Sequence, residues 1–151
     1  MKWATIAAAK QILSHEQGTI VKDWGGKLPI ALIYPNTYHV GMSSLAFHSL
    51  YHMLNAEPDI VCERVFQGYR HLDRHSVPIS LETQRRLPDF GVLAATLSFE
   101  LDYLNLVTML NNAGIPRLAC ERDDSWPLLI AGGPAVSANP QPMADLCDAF
   151  M

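Results

Sequence analysis

Three short stretches carry the residues whose types and spacing suit ligand binding. The first is Asn36-Thr37-Tyr38-His39-Val40-Gly41-Met42-Ser43, which follows an apolar run at 30–34. The second is Ser98-Phe99-Glu100, after the apolar run 91–97, and the third is Gly132-Gly133-Pro134, after 128–131. Each lies where an apolar strand would end. Open α/β sheets receive ligands at the carboxyl ends of their strands, so the three stretches are expected on one rim. Gly41, Gly132 and Gly133 would let backbone approach a bulky ligand closely. The helix amino end after Gly41 would turn N–H groups toward an anionic group. Ordinary turn glycines give the same signal one at a time; their recurrence on one rim is what points to a site.

Other residues offer further chemistry, each with a plainer reading beside it. His39 adjoins the first loop and is either a ligand contact or a solvated loop residue. His48 and His52 sit one helical turn apart, as do His71 and His75. That spacing can bind zinc or nickel, but the Glu of a zinc-protease helix is missing, and exposed helix histidines look the same. Glu100 and Asp102 are candidates for holding a ligand or a proton, and equally for answering a helix dipole. Glu63 and Arg64 are expected to pair near the same edge. Tyr38 and Tyr103 offer rings for stacking or for the core. No Gly-x-Ser-x-Gly elbow, phosphate-binding Walker loop or Gly-x-Gly-x-x-Gly is present. Cys62, Cys120 and Cys147 are too far apart for a Cys-x-x-Cys metal site and read as small buried hydrophobes in a reducing compartment.

The elements that must position these residues follow from periodicity. Strands are expected at 30–34, 60–66, 91–97 and 128–131. Helices are expected up to residue 14, over 42–55 with a face of Met42, Leu45, Ala46, Ser49, Leu50, Met53 and Leu54, and over 101–112 with Tyr103, Leu106, Val107 and Leu110. Gly114 supplies a C-terminal cap and Pro116 blocks continuation. The polar stretch 68–88 is expected to hold a short helix at 69–75 and an extended piece at 78–80, and 143–147 a helical turn. Alternating strands and helices predict a parallel sheet covered on both faces. Right-handed crossovers then favour a doubly wound, flavodoxin-like (Rossmann-like) order of 2-1-3-4, with a fifth strand opening at 148–151. Residues 1–28 read as an N-terminal helix and linker, and 29–151 as the sheet domain, incomplete at its C-terminal end.

The chain has 151 residues, a net charge of -4, 49% hydrophobic and 17% charged residues. That is the composition of one globular domain. Its scattered Lys and Arg argue against nucleic-acid binding; the Arg85-Arg86 pair reads as solvated. The alanine-rich opening is too short to span a membrane and lacks a cleavage site, so a cytoplasmic protein is expected.

Placed in order, the motifs resemble a family. Asn36-x-Tyr38-x-x-Gly41, Ser98 and Gly132-Gly133 are similar to the Asp-x-His-x-x-Gly, serine and Gly-Gly of cobalamin-binding Rossmann-like domains. More closely, the chain resembles the amino-terminal, cobalamin-binding-like domain of a family of radical S-adenosylmethionine proteins. The resemblance rests on Pro35, Gly41-Met42-Ser43, Glu63-Arg64-Val65-Phe66, Ala113-Gly114-Ile115-Pro116, Ala131-Gly132-Gly133-Pro134 and Asn139-Pro140-Gln141-Pro142, and covers about 22–150. It implies a cofactor rim of Asn36, Tyr38, His39, Gly41, Met42, Ser43, Ser98, Gly132 and Gly133, with cobalamin as the cofactor. Two departures bear on that. Tyr38 stands where the family's cobalt-ligating histidine stands, and a phenol that titrates near 10 is a poor substitute for imidazole. Asn36 replaces the aspartate that would orient such a histidine.

The radical-enzyme signature, Cys-x-x-x-Cys-x-x-Cys, is absent from this sequence. The resemblance assigns the four-iron four-sulfur cluster and S-adenosylmethionine to a following domain, which would be this domain's partner. The expected function is therefore an accessory domain that binds a corrinoid without a histidine ligand or positions substrate. The alternative is a module that binds no cofactor and serves its neighbouring catalytic domain as a scaffold. A free-standing receiver or flavin-binding protein fits less well, because the loop after the first strand lacks a phosphoacceptor aspartate and a phosphate-binding Ser/Thr-rich segment.

Overall fold

The computed structural model describes residues 3–69 and 76–151. Five strands form one sheet: β1 Leu28–Thr37, β2 Ile60–Gly68, β3 Val92–Thr96, β4 Leu128–Gly132 and β5 Ala149–Phe150. The order is β2-β1-β3-β4-β5 and every pair is parallel. The doubly wound α/β order expected from the alternation of elements is thus the one observed. Among the described residues five α-helices accompany the strands: α1 Trp3–Leu13, α2 Tyr38–Met42, α3 Leu45–Ala56, α4 Leu101–Ala113 and α5 Pro134–Ala138. None of the described helices is long and apolar enough to cross a membrane.

Side chains alternate across a strand, and here they feed two cores. Ile33, Leu93, Ala95, Leu129 and Ala131 face α4 and α5 with Leu106, Met109 and Leu110. Leu32, Tyr34, Cys62 and Phe66 face α1 and α3 with Ala9, Phe47 and Tyr51. β1 runs beyond its apolar stretch because a register shift between Tyr34 and Thr37 lets Thr37 pair with Gly68.

The helix expected over 42–55 is two helices. Thr37 caps α2, its side chain accepting from the Val40 N–H, and Ser44 caps α3, accepting from the Phe47 N–H. Two capping residues so close together restart the helix. Its buried face also differs from the expected one. Leu45 is 80% exposed and Met53 62%, whereas Phe47, Tyr51 and Asn55, four residues apart, point inward. Phe47 packs against Tyr34 and Phe66 at centroid distances of 5.6 and 5.5 Å. Asn55 is buried because it exchanges two hydrogen bonds with the Cys62 backbone, at 3.0 and 3.1 Å.

Elsewhere α4 ends at Gly114 in the left-handed region, φ 75°, as its sequence predicts. The turn expected at 143–147 is a 3-10 turn, Gln141–Met143, after which the Cys147 N–H donates to the Met143 carbonyl. The extended piece near 78–80 bridges Val65 through Ser80 and Arg86 through Ile79. The short helix expected at 69–75 and the His71/His75 pair lie outside the described residues. α5 had no periodic signal; Pro134 at its first position starts it. Cys62 and Cys147 are buried, but Cys120 is exposed, because it sits on a surface 3-10 turn, Ala119–Glu121.

Gly133 has φ 112°, and a Cβ there would lie 2.6 Å from the Leu97 carbonyl oxygen. Gly26 also has positive φ (73°) but open space around it. Gly133→Ala should therefore cost about 1–3 kcal/mol, through strain added to steric contact, and more than Gly26→Ala. Urea midpoints of the two variants measure this; equal losses would show that the approach to Leu97 carries no cost.

Candidate functional site

The strand order reverses between β1 and β3, which is where a doubly wound sheet opens a crevice. Across that point the Tyr34 hydroxyl donates to Ser98 Oγ at 3.2 Å. The stretches 36–43, 98–100 and 132–134 all follow strand carboxyl ends, so the parallel order puts them on one edge.

Much of the first loop's chemistry is spent on the loop itself. Asn36 Oδ1 accepts from the Thr37 N–H at 2.9 Å, and Ser43 Oγ donates to the Val40 carbonyl at 2.7 Å. A Cβ on Gly41 would collide with the Phe66 ring and lie 3.1 Å from Tyr34 Cγ. The group that needs a glycine here is the protein's own aromatic core. His39 is exposed and stands edge-on to Tyr38 at 5.6 Å.

Tyr38 turns away from the crevice. Its hydroxyl donates to Glu16 Oε1 at 2.9 Å. Glu16 in turn receives Arg64 Nη1 at 2.7 Å and Nη2 at 2.6 Å. Arg64 Nε donates to Glu82 Oε1 at 2.7 Å, and the Arg64 N–H to Glu82 Oε2 at 2.7 Å. The guanidinium lies 4.6 Å over the Tyr51 ring, and Met42 Sδ accepts from Nη1 at 3.4 Å. Burial, followed by the Glu16 hydrogen bond and charge, pushes the Tyr38 phenol up to about 12. The two carboxylates move in opposite directions. Burial raises both, but at Glu16 the Arg64 hydrogen bonds and charge prevail and its pKa falls. Glu82, with no side-chain exposure, is raised because burial outweighs the same cation.

The expected Glu63–Arg64 pair does not form, because adjacent strand residues face opposite sides of the sheet. Glu63 instead accepts from Trp24 Nε1 at 2.7 Å and from Thr83 Oγ1 at 2.7 Å.

Ser98, Gly132 and Gly133 line a different cavity, a groove of about 420 Å³ beside α3 that also takes in Ser44 and Thr96. Glu16 and Tyr38 border a more open hollow of about 630 Å³ with Ile12, His15 and Tyr69. The two cavities share no lining residue. The single rim site expected from the sequence is thus divided, and Tyr38 is brought together with Glu16 and Arg64 rather than with Ser98.

The remaining candidates resolve individually. Asp102 is fully buried and its Oδ2 accepts from the Ser98 and Phe99 N–H groups at 2.9 and 3.0 Å, so it organises the turn into α4; Glu100 is exposed. The Tyr103 hydroxyl donates to the Asn139 carbonyl at 3.0 Å. His48 Nε2 lies 2.8 Å from the Met42 carbonyl. Among the described residues no three His, Cys, Asp or Glu side chains converge as a metal site. Gln67 and Asn105, not singled out in the sequence, are buried together: Gln67 Nε2 donates to Asn105 Oδ1 at 3.3 Å, while Gln67 Oε1 and Asp102 Oδ1 have no partner among the described residues.

The family described as "Radical SAM proteins, N-terminal" matches residues 46–151. An uncharacterized protein of Methanocaldococcus jannaschii is 28% identical over 122 residues, covering 81% of this chain and 23% of the relative. The chain therefore spans about a quarter of the length of that curated relative. No solved structure matches it.

Arg64→Met should cost about 3–5 kcal/mol in urea unfolding, because it strands two carboxylates in the interior. Glu16→Gln tests the pH dependence. A carboxylate with a lowered folded pKa stabilises above the ordinary carboxylate range, and that stabilisation is lost as pH falls through the lowered value. The wild type should exceed Glu16→Gln in stability at pH 7, and the gap should close as pH falls below about 4. A gap that persists unchanged at low pH would contradict the assignment.

Proposed function

The chain belongs to the family of N-terminal regions of radical SAM proteins, and from that membership we propose that it is a non-catalytic accessory unit which docks on the catalytic region through the carboxyl rim of its sheet. The observation that carries this reading is the apolar character of that rim. Val40, Leu45, Phe99, Leu101 and Leu104 are all large and exposed, and all lie in α2, α3, α4 or the turn before α4, near the strand carboxyl ends. Several large exposed apolar groups near one edge of the sheet suit an interaction surface. On this reading the four-iron four-sulfur cluster and S-adenosylmethionine are held by the catalytic region.

The loop 36–43 does not fit a cobalt site. Its phenol is tied to Glu16 and held at about 12, and the space at Gly41 is taken by Phe66. A second reading keeps a corrinoid on the rim without a protein ligand to cobalt. What favours it is the groove at Ser98, Gly132 and Gly133.

Phe99→Asp with Leu104→Asp should leave the free energy of urea unfolding within about 0.5 kcal/mol, as exposed substitutions do. The pair should weaken binding to the catalytic region, supplied as a separate polypeptide, by about tenfold or more. Unchanged binding would remove the docking reading. Equilibrium dialysis against hydroxocobalamin decides the second reading: no retention at tens of micromolar is expected, and retention blocked by Ala94→Phe in the groove would establish it instead.

A further inference from the structure

We propose that the uncovered half of the sheet is the seat of an amphipathic helix from the chain that follows Met151 in the full-length protein. This rests on the reading of the chain as the N-terminal unit of a longer radical SAM protein. Parallel sheets bury both faces, and here one face is covered by α4 and α5. On the other, α1 and α3 pack on β1 and β2, and Ala94 is the one β3 residue that joins their cluster. Beyond α3 the sheet is open. Val92 and Ala94 of β3 and Ile130 of β4 are only half-buried and floor the 420 Å³ groove, with Leu50 and Leu54 as its wall.

Two further observations choose the occupant. α3 carries two apolar stripes: Phe47 and Tyr51 are buried in the core, while Ala46, Leu50 and Leu54, at four-residue spacing, line the groove. A stripe at that spacing suits packing against an apolar surface, another helix included. The chain path also leads there. The Met151 N–H donates to the Ala131 carbonyl at 3.0 Å, and Met151 itself lines the groove. A Cβ on Gly132 would lie 3.3 Å from the Met151 carbonyl oxygen, so the glycine lets the chain pass close beside β4 at the groove. The Methanocaldococcus relative is about four times as long as its matched region. The occupant's chemistry follows from the seat: small and aliphatic side chains at three- and four-residue spacing on one face, polar ones on the other.

Thiol labelling of Ala94→Cys, in a background carrying Cys120→Ser, tests the seat, with peptide mass spectrometry reading the site. The isolated chain 1–151 should label readily at residue 94, and the full-length protein about tenfold or more slowly, as a covered position does. A short photoactivatable cross-linker attached to the thiol of the Ala94→Cys variant should capture the segment that directly follows Met151. Val92→Cys on the same face serves if Ala94→Cys does not fold. Equal labelling in both proteins would overturn the proposal. So would a cross-link to a second copy in an isotopically mixed sample, or to the catalytic region, or protection of the short chain by hydroxocobalamin. Leu104→Cys on the rim separates the two readings. Protection at 104 without protection at 94 keeps rim docking and removes the helix seat; the reverse keeps the seat and removes rim docking.

Discussion

The Arg64 guanidinium is the interaction on which the rest of the structure depends. It joins three parts of the chain that are far apart in sequence: β2, which carries it, the linker through Glu16, and the segment after β2 through Glu82. A lone buried cation would be prohibitively costly. This one has a bidentate carboxylate on one side, a second carboxylate that also takes its own backbone N–H, and the Tyr51 ring against its face. Such a network adds modest net stability but fixes geometry, because any segment that leaves strands a charge in the interior. Through Glu16 the residues before β1 are tied to β2.

That network also decides what the loop after β1 can do. Tyr38 is drawn to Glu16, and Met42 offers its sulfur to Arg64. Gly41 makes room for Phe66, whose ring meets Tyr38 and Phe47. The loop keeps the spacing of a cofactor loop while its side chains serve the core beneath it. Gly133 is likewise used against the Leu97 carbonyl. What is left facing outward at this edge includes Val40, Leu45, Phe99 and Leu101 and, apart from them, a largely apolar groove that takes in Ser98, Gly132 and Gly133.

The sheet is asymmetric in its covering. One face is packed by α4 and α5, and the other is packed only as far as α3 reaches. A parallel sheet derives its stability from burial on both faces, and here the second face is buried only in part.

The sequence by itself determined the strand order, since alternating apolar runs and helices joined by right-handed crossovers leave few arrangements. It also marked Gly114 as a cap and the three rim stretches as neighbours, because parallel strands share a carboxyl edge. Tertiary structure decided the rest. Whether Leu45 or Phe47 faces the core depends on where Ser44 restarts the helix, a matter of capping that periodicity does not encode. Whether Arg64 pairs with Glu63 or with Glu16 and Glu82 depends on strand alternation and on which distant segments return to β2. Whether a glycine admits a ligand or an aromatic ring depends on what the fold places opposite it. Local propensity and spacing are written in the chain; the identity of a side chain's partner, and hence its charge state and availability for chemistry, exists only once remote segments are packed together.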